Sequence, residues 1–274
     1  MSLVVGHIDY LNCVPFFHYL KPAEFQGRIV KGVPSHLNTM LAEGSIDVSP
    51  SSSFEYGKNW RDYLLLPDLS ISSCGPVQSV LLFSGQPLES LEGGNIALTG
   101  ESATSVNLLK VLLWEFLGYR EVVCSVPDRP VEEVVAEGLP ALLIGDRALR
   151  AARESWTAPY IYDLGELWYR FSGLPFVFGL WILRREAAQE KQEAVRMLQS
   201  QLQESLRLAF ADLPTLAKVT PEREWMGEEA LVSYWQKAVS YELGEEYVKG
   251  LQLYYSLLNK HDLLPEVPEL NFFT

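Results

Sequence analysis

The sequence predicts an α/β protein of two lobes, mixed sheets flanked by helices with a ligand cleft between them. Three observations carry this expectation. Over residues 3–49, short apolar runs alternate with helical segments in a β-α-β-α-β rhythm, the mark of parallel strands joined by helical crossovers. The rhythm restarts near residue 95. A β-rich run at residues 176–183 then precedes a long helical tail, as expected of a strand returning from a second lobe to the first.

Taken in order, residues 3–8 form an apolar run closing at Asp9 and read as a buried strand. Tyr10 to Pro15 is a loop, and residues 16–20 a helical turn. A second strand is expected at 28–33. Pro34 opens a helix that puts Leu37, Met40 and Leu41 on one face and ends at Gly44. A short strand follows at 46–49. Residues 63–66 and 77–83 read as strands on either side of the stretch 69–76, and 86–91 as a surface turn or linker. Strands at 95–98, 122–124 and 141–146 alternate with helices at 106–117 and 131–137, the latter closed by Gly138. Residues 186–211 form an amphipathic helix with Ala194, Met197, Leu198, Leu202 and Leu206 at helical spacing, and the rest to 258 is largely helical. The implied division is a discontinuous first lobe, 1–84 and 182–274, with residues 85–181 inserted as the second.

Composition narrows the function. The chain has 274 residues, 48% hydrophobic and 21% charged, with a formal net charge of −13. A chain this acidic has no general attraction for nucleic-acid backbones, although local donors inside a cleft can still hold a small anion. The cysteines Cys13, Cys74 and Cys124 are odd in number and far apart, and the four histidines show no metal-ligand spacing, so neither a disulfide framework, a metal nor a cofactor is expected. The opening MSLVVGHIDYLN lacks the features of a signal peptide, and no long uninterrupted apolar stretch suits a membrane span. A cytoplasmic protein with no membrane partner is expected.

Small hydroxyl residues gather where strands are expected to end: at 49–53, 70–73, 99–105 and near Gly145 and Asp146. Ligands of open α/β sheets lie beyond the carboxyl ends of the strands. Ser53, Ser72, Ser73, Ser102, Thr104 and Ser105 are therefore candidate binding residues for a small carboxylate. Gly75 allows positive φ beside them. The segment 101–105 precedes an apolar helix, so its hydroxyls serve equally well as a plain N-cap. Asn12 follows a strand and is either a ligand contact or a turn-former. Asp146 either meets a substrate hydroxyl or caps a helix starting at Arg147. Phe178, Trp168 and Trp181 either flank the cleft or fill the core. Cys74 and His18 show nothing local that marks a nucleophilic pair.

Several of these segments resemble, in order, the chorismate dehydratases of the futalosine route to menaquinone. The resemblance starts at Ile8-Asp9-Tyr10-Leu11-Asn12-Cys13-Val14-Pro15. It continues at residues 71–80, 98–105, 143–149, 163–168 and 173–178, and so covers most of residues 5–181. It implies a type II periplasmic-binding-protein-like fold with the substrate between the lobes. The implied reaction is loss of water from chorismate to give 3-[(1-carboxyvinyl)oxy]benzoate. A sister family on the same fold makes 1,4-dihydroxy-6-naphthoate but opens with a different Ser/Thr- and Pro-rich motif. A non-catalytic solute receptor for a small carboxylate is the alternative outside enzymology. On the dehydratase reading, Asn12 orients the ring hydroxyl or a carboxylate. The base is either the enolpyruvyl carboxylate of the substrate or Asp146. The remaining candidates, with Phe178, bind substrate.

Overall fold

The computed structural model describes residues 2–25, 27–154 and 158–274. Among these residues ten strands form two five-stranded sheets. In chain order they are β1 (Leu3–Ile8), β2 (Gly27–Gly32), β3 (Val48–Ser52), β4 (Tyr63–Ser73), β5 (Val80–Ser84), β6 (Asn95–Ala97), β7 (Val123–Ser125), β8 (Ala141–Ile144), β9 (Tyr160–Asp163) and β10 (Phe176–Arg184). The first sheet runs β2-β1-β3-β10-β4 and the second β7-β6-β8-β5-β9. Each has the same plan. Three parallel strands sit beside one antiparallel strand, β10 or β5, which also pairs antiparallel with the last. The restart of the sequence rhythm near residue 95 is the start of the second copy of this plan.

The antiparallel strands correct the expected lobe boundaries. β5 belongs to the second sheet and β10 to the first, so the chain crosses between residues 73 and 80 and again between 163 and 176. Divisions at 84/85 and 181/182 separate β5 from its sheet and cut β10 in two. An apolar run declares itself a buried strand, but only pairing decides which sheet it joins. The stretch 69–76 is likewise strand as far as Ser73. β4 bends at Asp68 (φ +62°), where the register against β10 slips, and then resumes pairing. Asp68 supplies the positive φ that lets the strand continue past Pro67.

One aspartate ties both crossings together. Asp163, at the end of β9, accepts the N–H groups of Val77 (3.1 Å), Gln78 (2.6 Å), Gly165 (2.9 Å) and Glu166 (3.1 Å). It therefore caps the helix Leu164–Ser172 and also pins the opposite crossing. Burial pushes its carboxyl up, and the four N–H groups oppose that shift by favouring the charged form.

The C-terminal helices return to the first lobe and close its core. Phe16 meets Trp181 and Tyr241 edge-on, each at 5.2 Å between centroids. Trp168, Phe176 and Tyr254 form a second aromatic knot, with Phe176 at 5.1 Å from Trp168 and 4.9 Å from Tyr254. Trp168 and Trp181 are fully buried and belong to this core. Each such side chain contributes roughly 1.5–3 kcal/mol through burial. The helix expected over 186–211 is broken at Lys191, whose ammonium reaches Asp47 (2.7 Å) and the Ser2 carbonyl (3.2 Å) beneath the first sheet. Among the described residues no helix is long and apolar enough to cross a membrane.

Candidate active site between the lobes

Between the two sheets lies a cavity of about 550 Å³, open solvent at its mouth included. From the first lobe it is lined by Ile8, Tyr10, Asn12, Pro34, Ser51, Ser52, Ile71, Phe178 and Gly179. From the second come Val80, Ser102, Ser105, Ile144 and Gly145, with Val77 and Ser79 from the crossing. The walls are apolar with hydroxyls from both lobes. Among the described residues, none that lines it carries a carboxylate, imidazole, ammonium or guanidinium group.

Each polar side chain is placed by local structure. Asn12 sits in the one-turn helix Leu11–Cys13, closed by the Cys13 N–H donating to the Tyr10 carbonyl at 2.9 Å. The Trp235 indole N–H holds the Leu11 carbonyl at 2.7 Å. Asn12 Oδ1 is buried without a hydrogen-bond partner, and so is Ser51 Oγ on a residue 1% exposed. Such groups cost about 1–3 kcal/mol each unless something pairs with them. Both lie on residues that line the cavity. Ser52 caps the helix Ser53–Asn59 by accepting the Glu55 N–H at 3.1 Å. Ser102 caps the helix Ala103–Val111 by accepting the Ser105 N–H at 3.2 Å, and its hydroxyl donates to Ser105 Oγ at 3.0 Å. Capping and cavity lining are thus one arrangement at Ser102.

The mouth is bridged. The Tyr10 hydroxyl donates to Glu101 Oε2 across the lobes at 2.9 Å, and Arg147 holds Glu101 Oε1 at 2.9 Å while gripping Glu132 with both ends of its guanidinium at 2.5 Å. Burial and the Glu101 charge push the Tyr10 hydroxyl well above its ordinary range, so it stays a neutral donor. Gly145 turns with φ +58°, and a Cβ there would stand 2.9 Å from the Tyr10 ring. Only glycine lets the second lobe come this close to Tyr10.

Four expected site residues line the cavity: Asn12, Ser102, Ser105 and Phe178. The others are turned elsewhere. Ser53 donates to the Val177 carbonyl at 2.8 Å, and Thr104 Oγ1 accepts the Phe54 N–H at 3.0 Å and lies 3.3 Å from Ser53 Oγ. These two make a buried seam between the lobes. Ser72 shares a 2.6 Å hydrogen bond with Ser70, and its backbone pairs with Ser240. Ser73 donates to the Gly75 carbonyl at 2.8 Å. Gly75, at φ +99°, shapes the first crossing, where its carbonyl and Ser73 Oγ pack so closely on Gly165 that a Cβ there would meet them at 2.6 and 2.7 Å. β4 ends at Ser73, so the expected strand end at 70–73 is present, but the serines there do not line the cavity. The Ser70, Ser72 and Ser73 hydroxyls are spent within the strand and its neighbours.

Asp146 is not among the residues that line this cavity, and it does not cap the helix. The helix begins at Gly145, two residues earlier than supposed. It lines a separate groove beyond Tyr10 and Leu11, with His7, Asp9, His18, Lys31 and Glu222. There it accepts the Leu11 N–H at 3.0 Å, and burial pushes its carboxyl up to about 6. His7 in the same groove stacks on Phe17 at 3.7 Å, and burial lowers it to about 4. Cys74 borders a third groove, so Cys74 and His18 share none.

Tyr10, Ser51, Ser52 and Ser79 were not singled out from sequence. Ser51 and Ser52 belong to the hydroxyl cluster at 49–53. Ser51, Ser52 and Ser53 are all buried, but only Ser51 and Ser52 border the cavity, while Ser53 turns to the Val177 carbonyl. Tyr10 and Ser79 carried no local signal beyond their place beside Asn12 and after the first crossing.

Two lobes of matching topology, crossed twice by the chain and closed on a hydroxyl-lined cavity, define a protein of the periplasmic-binding-protein fold. The periplasmic aliphatic sulphonate binding protein SsuA from Escherichia coli superposes with a TM-score of 0.68 at 14% identity, over 97% of this chain and 89% of that one. At that identity the likeness concerns the fold. The chain belongs to the menaquinone biosynthesis family, whose profile matches residues 3–260. Among its relatives are chorismate dehydratases. That of Thermus thermophilus is 38% identical over 201 residues, covering 67% of this chain and 70% of the relative. That of Campylobacter jejuni is 31% identical over 196 residues, covering 69% and 71%.

Proposed function

We propose that this protein is a chorismate dehydratase, a carbon–oxygen lyase that removes water from chorismate to give 3-[(1-carboxyvinyl)oxy]benzoate. Its similarity to the dehydratases supports the reading, and one observation carries the mechanism. Among the described residues the cavity offers hydroxyls from both lobes and the Asn12 amide, but no side chain able to act as a base near neutral pH.

Chorismate supplies what the walls lack. It has a ring carboxylate, an enolpyruvyl carboxylate and a ring hydroxyl. The hydrogen to be removed is vinylogous to the ring carboxylate, so its loss places charge there as a dienediolate. The C–O bond to the ring hydroxyl then breaks, the departing oxygen takes back the removed proton to leave as water, and the ring becomes aromatic. The enolpyruvyl carboxylate, folded against the ring, takes the proton. The protein holds that conformer and steadies the growing oxyanion charge. Ser102 and Ser105, at the start of a nine-residue helix, offer hydroxyls in the positive field of its N-terminus. Asn12 and Ser51 offer unpartnered polar atoms on the facing lobe. The apolar remainder, with Phe178, excludes water and strengthens these contacts.

Incubation of the purified protein with chorismate, followed by mass spectrometry, tests the proposal. The expected product is an aromatic carboxylic acid one water lighter than the substrate. No product, together with tight binding of an unrelated metabolite, returns the chain to the solute receptors.

A further inference from the structure

Asp146 belongs to the second lobe, yet among the described residues its hydrogen bond is to the first: the Leu11 N–H donates to Asp146 Oδ1 at 3.0 Å. On its other side Leu11 is held through its carbonyl by the Trp235 indole, at 2.7 Å, within its own lobe. Leu11 starts the three-residue turn that carries Asn12, whose buried Oδ1 has no partner. The turn is thus clamped at both ends of a single residue, once from each lobe. The clamp from the second lobe exists only while the lobes are together. The Gly145 turn makes this reach possible: its N–H donates to the Ser79 carbonyl at 2.7 Å, and the Tyr10 ring lies over its Cα.

We infer that Asp146 is a positioning residue, which fixes the Asn12 turn from the opposite lobe so that lobe closure completes the site. The inference rests on the dehydratase reading for its kinetic consequence but not for the clamp itself. It assigns Asp146 the role of hydrogen-bond acceptor and no part in proton transfer. Binding energy spent on closure then also sets Asn12, so that an unclosed protein holds substrate without acting on it.

Two substitutions separate acceptor from base. Asp146→Asn keeps an oxygen at Oδ1 and removes the basic carboxylate; Asp146→Ala removes both. With chorismate, Asp146→Asn is expected to keep kcat within about threefold of the parent. Asp146→Ala is expected to lose about 10- to 100-fold in kcat with KM little changed, the scale of a misplaced contact group. Hydrogen exchange of the peptide spanning residues 9–14 gives a readout independent of activity, with protection kept in Asp146→Asn and lost in Asp146→Ala. The inference is overturned if Asp146→Asn is as inactive as Asp146→Ala, or if Asp146→Ala leaves turnover and exchange unchanged. Because the Asn variant is nearly isosteric, it decides between acceptor and base even where Asp146→Ala does not fold. An inactive parent protein defeats the dehydratase reading alone, since the exchange comparison still tests the clamp.

Discussion

The serines of β4 and those at 51–52 and 102–105 look alike in the sequence, and the fold uses them in opposite ways. Ser70 and Ser72 bond to one another, Ser70 also donates to the Glu242 carbonyl, and Ser73 donates to Gly75. Ser51, Ser52, Ser102 and Ser105 face the cavity, and Ser51 keeps its hydroxyl unpaired. Both groups include residues of paired strands, Ser51 and Ser52 at the end of β3 and Ser72 and Ser73 at the end of β4, so what separates them is whether the hydroxyl faces the cavity or a neighbouring strand and loop. Cavity hydroxyls should govern catalysis, and the others stability.

The largest effect is expected at Asn12. Asn12→Ala should lower kcat/KM by about 100-fold or more, the scale of a lost transition-state donor or acceptor, while thermal unfolding stays near that of the parent. A Tm collapse with intact kinetics would place Asn12 on the wrong side of the comparison. Next comes Gly145→Ala. A Cβ at φ +58° and against Tyr10 should cost about 1–3 kcal/mol and raise KM as well, because the strain falls on the closed mouth. Denaturant titration and steady-state kinetics check both.

The Asp146 carboxyl gives a pH-dependent test. Its ordinary value near 3.8 is raised to about 6, chiefly by burial. A raised folded-state value disfavours the ionised form, so the favourable contribution is complete below about pH 4 and is lost as pH rises through about 6. Asp146→Asn should therefore match the parent near pH 4 and exceed it near pH 8 by about 1–2 kcal/mol, after allowance for partial exposure. Glu222, Asp9, Arg150, Lys31, His7 and His18 surround or border the same groove, so the comparison is between variants at each pH and not between pH values. Equal stability at both pH values would remove the burial argument.

Smaller effects complete the contrast. Ser102→Asp retains an N-cap and so should leave Tm within the error of a cap exchange, but it sets a negative charge against a dianionic substrate and should raise KM about tenfold. Ser72→Ala should be the mildest for function. It leaves kcat and KM within about twofold and costs about 1 kcal/mol for the hydrogen bond to Ser70. A large kinetic defect in Ser72→Ala would break the division between the two groups.

Much of this was legible without coordinates. The β-α-β rhythm and its restart near residue 95 announced two lobes, because burying both faces of a parallel sheet forces alternate strands and helices of apolar pattern. Asn12, Ser102, Ser105 and Phe178, expected from strand ends and from the resemblance to the dehydratases, line the cavity. Ser53, Ser72, Ser73, Gly75, Thr104 and Asp146 were expected at the cavity on the same reasoning and are elsewhere. Each lies within two residues of a lining position or beside a crossing. One residue along a strand reverses the direction of a side chain, so finding the right segment does not find the right atom.

The sequence by itself determined the class of fold and the chemical character of the site, since hydrophobic period and local hydroxyl content are properties of short segments. Tertiary structure alone decided which sheet β5 and β10 join, and which serines meet the cavity. It also decided that Asp146 holds a backbone N–H of the other lobe. These depend on pairing and approach between residues far apart in the chain, such as Leu11 and Asp146, and no local pattern encodes the distance between them.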